Sequence, residues 1–117
     1  MSKIVRKNGN GRYSEAVIHN GIIYISGQVG DPSGSVADQT RDILAALEEI
    51  LAENGSDKEH MLSAAVYMAD MSGVSEMNKV WDSWVIPGFE PARVCCQAPL
   101  VSPAYKVEIT LIAAVKE

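Results

Sequence analysis

The chain has 117 residues, of which 47% are hydrophobic, and its formal net charge is −5 with a pI near 5.0. This length predicts a single domain, residues 1–117, with a core of its own. The acidic balance argues against a nucleic-acid partner, and no apolar run approaches the length of a membrane span. The first residues lack the apolar core of a signal peptide, so we expect a cytoplasmic protein.

A hairpin is the first element that the sequence predicts. Residues 3–12 are polar and rich in Asn and Gly, which is typical of a turn rather than a strand. Residues 13–19 and 21–27 are predicted strands, because they contain many β-branched and aromatic residues. Asn20-Gly21 suits the two-residue turn in which both residues have positive φ.

The first predicted helix follows a loop that contains Gly, Pro and Ser. Ser35 suits its N-cap, and Asp38 three residues later completes a variant of the capping box. Five apolar residues recur at helical spacing and predict one buried face: Ile43, Leu44, Leu47, Ile50 and Leu51. Asn54-Gly55 is typical of a helix end.

A third strand and a second helix come next. Residues 61–69 form the predicted strand, in which Leu62, Ala64, Val66 and Met68 share one side. The second helix is predicted from about Val74 to Val85, with Val74, Met77, Trp81 and Trp84 in one stripe. We interpret this stripe as core packing in preference to a surface on which a ligand stacks.

The last two predicted strands, residues 91–97 and 106–115, contain only three charged side chains: Arg93, Lys106 and Glu108. A lone charge in a dry strand costs on the order of several kcal/mol unless it is paired or solvated. Two explanations stay open. Arg93 and Glu108 neutralise each other, or they face a wet pocket in which a ligand completes the arrangement.

The predicted order β-β-α-β-α-β-β indicates an α+β fold, with two helices on one face of a single sheet. Several strands are apolar on both sides, so the second face also needs a cover. Since the chain has no further helix to offer, we expect another copy of the chain to supply that cover.

Cysteine and histidine positions predict no metal site. Cys95 and Cys96 are neighbours on a strand and point apart, so a disulfide between them is not expected. His19 and His60 are far apart in sequence, and neither is flanked by a second ligand.

Seven short segments, taken in order and at their spacing, form a recognisable set: residues 11–17, 21–28, 39–40, 66–71, 78, 91–95 and 107–109. Together they resemble the Rid (YjgF-like) family of enamine and imine deaminases over nearly the whole chain. The resemblance implies a chorismate-mutase-like fold and homotrimers with pockets between adjacent subunits. The chain departs from the family pattern at Thr110, where a second acid is usual, at Val94, where serine is usual, and in a short loop after Gln28.

The resemblance also implies a chemistry. Such a protein is a cofactor-independent hydrolase, similar to a 2-iminobutanoate/2-iminopropanoate deaminase, which converts 2-aminoacrylate-like enamines and imines to 2-keto acids and ammonia. Arg93 would bind the substrate carboxylate through its planar fork, and Glu108 would orient or activate the attacking water. Four further residues match substrate-binding positions: Tyr13, Ser26, Asn78 and Cys95.

Other functions compete with this one. The same Arg93 would serve a module that binds small keto acids without turnover, in which Glu108 would be dispensable. A specialised catabolic deaminase of a larger substrate would fit the tryptophans and the altered loop. A ribonuclease or translation inhibitor is disfavoured by the acidic pI, because it would need a basic stripe. Cys95 lacks a neighbouring base and suits a small buried hydrophobe better than a nucleophile.

Overall fold

A computed structural model of the protein describes residues 3–117. It has six strands, β1 (Val5–Lys7), β2 (Ala16–His19), β3 (Ile22–Gln28), β4 (Met61–Met68), β5 (Ala92–Gln97) and β6 (Val107–Ala114). Its two α-helices are α1 (Val36–Glu53) and α2 (Val74–Trp84), and short 3₁₀ turns cover Lys58–His60 and Met71–Gly73. The α+β fold class is confirmed. Among the described residues, no helix is long and apolar enough to cross a membrane.

All six strands belong to one sheet, in the order β1-β2-β3-β6-β4-β5. Only β4 and β5 run parallel, and α2 connects them, as a parallel pair requires a crossover. Strand β1 falls in the stretch that the sequence analysis assigned to a turn. A polar strand of three residues is too short to show an alternating pattern of apolar side chains, so the sequence analysis did not predict it. It forms by pairing with β2, where Arg6 lies opposite Val17.

The predicted turn and helix signals are confirmed. Asn20 and Gly21 have φ values of 52° and 74°, so the hairpin between β2 and β3 has the expected turn. At the start of α1 the Ser35 hydroxyl accepts a hydrogen bond from the Asp38 amide, and the Asp38 carboxylate accepts one from the Ser35 amide. Hydrogen bonds from Arg41 and from Ser35 hold the pKa of Asp38 below its usual range.

The core lies between the sheet and the two helices. Strand β6 sends Val107, Ile109, Leu111 and Ala113 into it, and the predicted apolar face of α1 covers them. The α2 stripe also joins this core, with Met77 and Trp81 buried. This side of the sheet is therefore closed by the chain's own helices.

The opposite side, which we name the open face, is not covered by any of residues 3–117. Tyr24 is 46% exposed there and Val94 is 63% exposed, beside half-buried Ile112. One side-chain assignment was wrong. Leu62 does not share the core side with the other residues predicted to lie beside it and is 45% exposed. The register with β6 shifts between Met61 and Ser63, so Met61 takes the core position.

Candidate active site

Arg93 lies on the helix side of the sheet, at its edge. Strand β5 aligns Arg93 with Ala64 and Cys95 with Val66, and both β4 partners are buried in the core. Residues directly opposite each other on paired strands share a face, so Arg93 and Cys95 point towards the helices. Cys95 packs against the core as a small apolar group. Arg93 and Cys95 thus share one side of β5, as alternation along a strand requires.

Trp81 of α2 lies beneath the Arg93 side chain. The guanidinium carbon is 5.1 Å from the centre of the Trp81 ring, within the range of a cation–π contact. The Nη1 atom of Arg93 is buried and has no hydrogen-bond partner among residues 3–117. Asn78 precedes Trp81 by three residues on α2, and its Oδ1 is likewise buried without a partner in that range.

Glu108 lies on the open face. Its position in β6 aligns with Tyr67 of β4, which in turn aligns with Cys96 of β5, whereas the neighbouring Val107 and Ile109 enter the core. Arg93 and Glu108 therefore occupy opposite faces of the same sheet. The first explanation of their charges, mutual neutralisation within the chain, is wrong: among residues 3–117 neither side chain has an ion-pair partner.

A β-bulge at Ser26 and Gly27 supports the Glu108 carboxylate. The register joins Ile25 to Leu111 and Gln28 to Ile109, so Ser26 and Gly27 together stand opposite Thr110. A Cβ atom built on Gly27 would lie 2.8 Å from Cδ of Glu108, and closer still to Oε2. The carboxylate thus occupies space that any side chain at residue 27 would fill.

A cavity of about 300 Å³ opens beside this bulge, and Tyr13, Ser26 and Gly27 are among the residues that line it. The Ser26 hydroxyl lies 3.0 Å from the carbonyl oxygens of both Ser14 and Glu15, to which it donates. Ser26 therefore fastens the segment that carries Tyr13, whose ring is 59% exposed. A hydroxyl engaged in this way offers a ligand its oxygen lone pairs and not its proton.

The predicted site residues thus form two groups within one chain. The helix-side group contains Arg93, Cys95 and Asn78, and the open-face group contains Glu108, Ser26 and Tyr13. Among residues 3–117, no three His, Cys, Asp or Glu side chains are grouped closely enough to hold a metal ion. A larger cavity of about 660 Å³ lies near His60 and Lys116 and includes no predicted site residue.

Sequence reasoning missed two residues of this arrangement. Gly27 was recognised only as part of a strand end, although a glycine inside a strand often marks a bulge or a close approach. Trp81 was assigned to the core, which is correct for its buried ring but omits the cation on that ring. No sequence signal joins Trp81 to Arg93, because they belong to different elements and meet only through packing.

Known proteins similar to this chain fall into one family. A family model described as endoribonuclease L-PSP matches residues 4–115. The RutC family protein YoaB of Escherichia coli strain K12 is 40% identical over 112 residues, which are 96% of this chain and 98% of that protein. The 2-iminobutanoate/2-iminopropanoate deaminase of Bos taurus is 35% identical over 128 residues, covering 97% of this chain and 93% of that protein.

Solved structures agree with this assignment. A YjgF family protein from Neisseria meningitidis superposes with a TM-score of 0.95 at 45% sequence identity, covering 98% of this chain and 97% of that chain. Yeast Mmf1 superposes with a TM-score of 0.86 at 25% identity, over 99% of this chain and 100% of that chain. The similarity extends over the full sheet and both helices, and therefore over both groups of predicted site residues.

Proposed function

This chain belongs to the Rid family, and from that premise we propose that it is a cofactor-independent hydrolase of small 2-imino acids and their enamine tautomers. The products are the corresponding 2-keto acid and ammonia. The name of the Bos taurus relative, at 35% identity, supports this reaction. The acting species in this proposal is a homotrimer, with each site between two copies of the chain.

One observation carries the proposal: the two predicted catalytic side chains have no ion-pair partner among residues 3–117 and lie on opposite faces of one sheet. A buried N–H of Arg93 without a partner costs free energy that a bound anion would recover. Glu108 faces outward from an apolar surface that has no cover of its own. A second copy packed on the open face brings its own Arg93 edge close to Glu108, so that one composite site contains both charges.

The reaction needs few groups. Arg93 holds the substrate carboxylate with two parallel hydrogen bonds, which fixes the imine carbon beside Glu108. Glu108 takes a proton from water as the oxygen adds to that carbon, which gives a carbinolamine. Glu108 returns that proton to the imine nitrogen and then carries the hydroxyl proton of the carbinolamine to the same nitrogen, so ammonia leaves with both protons of the water as the C=O bond forms. Water thus supplies the oxygen of the keto acid, and no electrons are exchanged with a cofactor.

A coupled assay tests the proposal. A pyridoxal-phosphate lyase generates 2-aminoacrylate or 2-iminobutanoate in the reaction mixture, and semicarbazide competes for the imine. The yield of free keto acid is measured. The wild type is expected to accelerate keto-acid release. Arg93→Ala and Glu108→Gln are expected to reduce that acceleration by about 100-fold or more, since each removes a group that acts directly on the substrate.

Two matched variants serve as controls. Arg41→Ala removes an exposed arginine of α1 that pairs with Asp38, and Glu49→Gln changes an exposed glutamate of the same helix. Both are expected to keep wild-type activity. A folded, oligomeric wild type that binds keto acids but accelerates nothing would instead support the binding module, in which Glu108→Gln leaves affinity unchanged.

A further inference from the structure

Helix α2 carries two tryptophans, and each has a cation over its ring. Arg93 lies 5.1 Å from the ring centre of Trp81, and Lys58 Nζ lies 5.3 Å from that of Trp84. The two rings touch each other, with centroids 5.8 Å apart and planes inclined by 52°. One cation belongs to the proposed site and the other does not, so the pair offers an internal comparison.

The Lys58 cation is already satisfied. Its Nζ donates a 2.8 Å hydrogen bond to the carbonyl of Trp84, at the end of α2 where carbonyls lack helical partners. The indole N–H of Trp84 donates to Glu48 at 2.9 Å. This cluster therefore fixes the end of a helix, because the Lys58 charge contacts both the Trp84 ring and a carbonyl at the helix end.

The Arg93 cation lacks the hydrogen bond that engages Lys58. Among residues 3–117 it has no carboxylate partner, and its buried Nη1 makes no hydrogen bond. The guanidinium lies over the ring face of Trp81, a residue that is only 5% exposed. A carboxylate in this place would hold the guanidinium but compete with any anion for its donors. A ring face attracts the cation and leaves every N–H free.

We propose that Trp81 is a positioning residue that holds the Arg93 guanidinium in place while leaving its charge and its fork available to a carboxylate. The inference rests on the proposed role of Arg93 in binding the substrate. It gives the second helix a part in substrate affinity beyond its part in the core. It also assigns different roles to Trp81 and Trp84, whose rings are in contact on the same helix.

The first test observes Arg93 directly and needs no ligand. In ¹⁵N-labelled full-length protein, the Nε–H signal of Arg93 is assigned as the one that Arg93→Lys removes. Stacking on an indole shifts this signal upfield and slows its exchange with solvent. Trp81→Leu is expected to abolish the shift, Trp81→Phe to keep part of it, and Trp84→Leu to leave it unchanged. An unshifted signal in the wild type, or equal signals in all variants, would overturn the proposal.

The second test measures affinity for a small 2-keto acid. Pyruvate is titrated calorimetrically into the wild type and the three tryptophan variants, well below the melting temperature of each. Trp81→Leu is expected to raise Kd about tenfold and Trp81→Phe about threefold, in line with the strength of a desolvated cation–π contact. Trp84→Leu also loses core packing but is expected to bind pyruvate as the wild type does.

The outcomes separate this inference from the proposed reaction. Pyruvate affinity that falls equally in Trp81→Leu and Trp84→Leu would show that general core damage is the cause, and the inference fails. Affinity that follows Trp81 in a protein without deaminase activity would leave the inference standing and remove the reaction. A wild type that binds no pyruvate would overturn both.

Discussion

The two faces of the sheet are built from the same strands but differ in how complete they are. On the helix side, α1 and α2 close a core in which the β6 side chains Val107, Ile109, Leu111 and Ala113 are buried. On the open face, the residues between them, such as Glu108 and Ile112, have no cover from the chain. One chain thus forms a complete core, while its two predicted catalytic side chains lie on different faces of the sheet.

This difference follows from strand geometry. Because side chains alternate along a strand, a charged residue of one parity enters the helix side and one of the other parity enters the open face. Arg93 shares the parity of Cys95, which is partly buried against the core, and Glu108 shares that of Thr110. The two predicted catalytic side chains consequently lie on two surfaces, and in the proposed trimer the association of copies brings them together.

The largest effect is expected from a charge on the open face. Val94→Asp places a carboxylate on an apolar surface that the proposed trimer buries, where it would lack a partner. We expect the variant to be a folded monomer without deaminase activity, as measured by light scattering coupled to gel filtration and by the coupled assay.

A matched substitution away from that face controls for the added charge. Ser75→Asp lies on the exposed side of α2 and is expected to remain oligomeric and active. A Val94→Asp protein that keeps both its trimer and its activity would refute the division of the site between two copies.

The next effect concerns the bulge. Gly27→Ala introduces a methyl group where the Glu108 carboxylate lies, so that the carboxylate must move by about an ångström. A displacement of that size typically costs about 100-fold in rate. Gly9→Ala is the control, because the nearest atoms to its added Cβ are 3.9 Å away. We expect kcat to fall in the coupled assay for Gly27→Ala alone, with the fold and the oligomer unchanged by circular dichroism and gel filtration.

A smaller effect is expected from Ser26→Ala. The hydroxyl that fastens the Tyr13 segment to β3 is lost, so the segment is less well ordered over the cavity. We expect KM to rise about fivefold with little change in kcat, the size expected for loss of one hydrogen bond of about 1 kcal/mol. Ser83→Ala removes a comparable 2.8 Å hydrogen bond to the carbonyl of Val80 in α2, and it should leave KM unaltered. Equal KM values in both variants would contradict the role of Ser26.

Local chemistry explains what the sequence could predict. The hairpin turn at Asn20-Gly21 and the cap at Ser35 depend on neighbouring residues, and the structure has both. The wrong predictions concern residues whose placement depends on contacts between different strands. The strand Val5–Lys7 depends on β2, and the exposure of Leu62 depends on the register of β6.

The site was predictable in its residues but not in its arrangement. Resemblance to a family identified Arg93 and Glu108 together, and alternation assigned each to a face of its own strand. The sequence alone did not show whether Arg93 of β5 and Glu108 of β6 lie on the same face of the sheet. That depends on how β5 and β6 each pair with β4, which lies between them. The contact of Trp81 with Arg93 and the space at Gly27 are likewise products of packing.

The smallest effect on chemistry is expected from the completed, helix side. Ser35→Ala removes the side-chain acceptor of the α1 capping box, which typically costs about 1 kcal/mol and lowers the melting temperature by about 4 °C in a domain of this size. Ser35→Asn restores an acceptor and is expected to melt close to the wild type at the same protein concentration. Neither variant should alter kcat/KM. The cap stabilises α1, and the site depends on α1 only through the stability of the fold. A fall in kcat/KM for Ser35→Ala that Ser35→Asn repairs would show that α1 influences the site, and the functional difference between the two faces would be smaller than their geometry indicates.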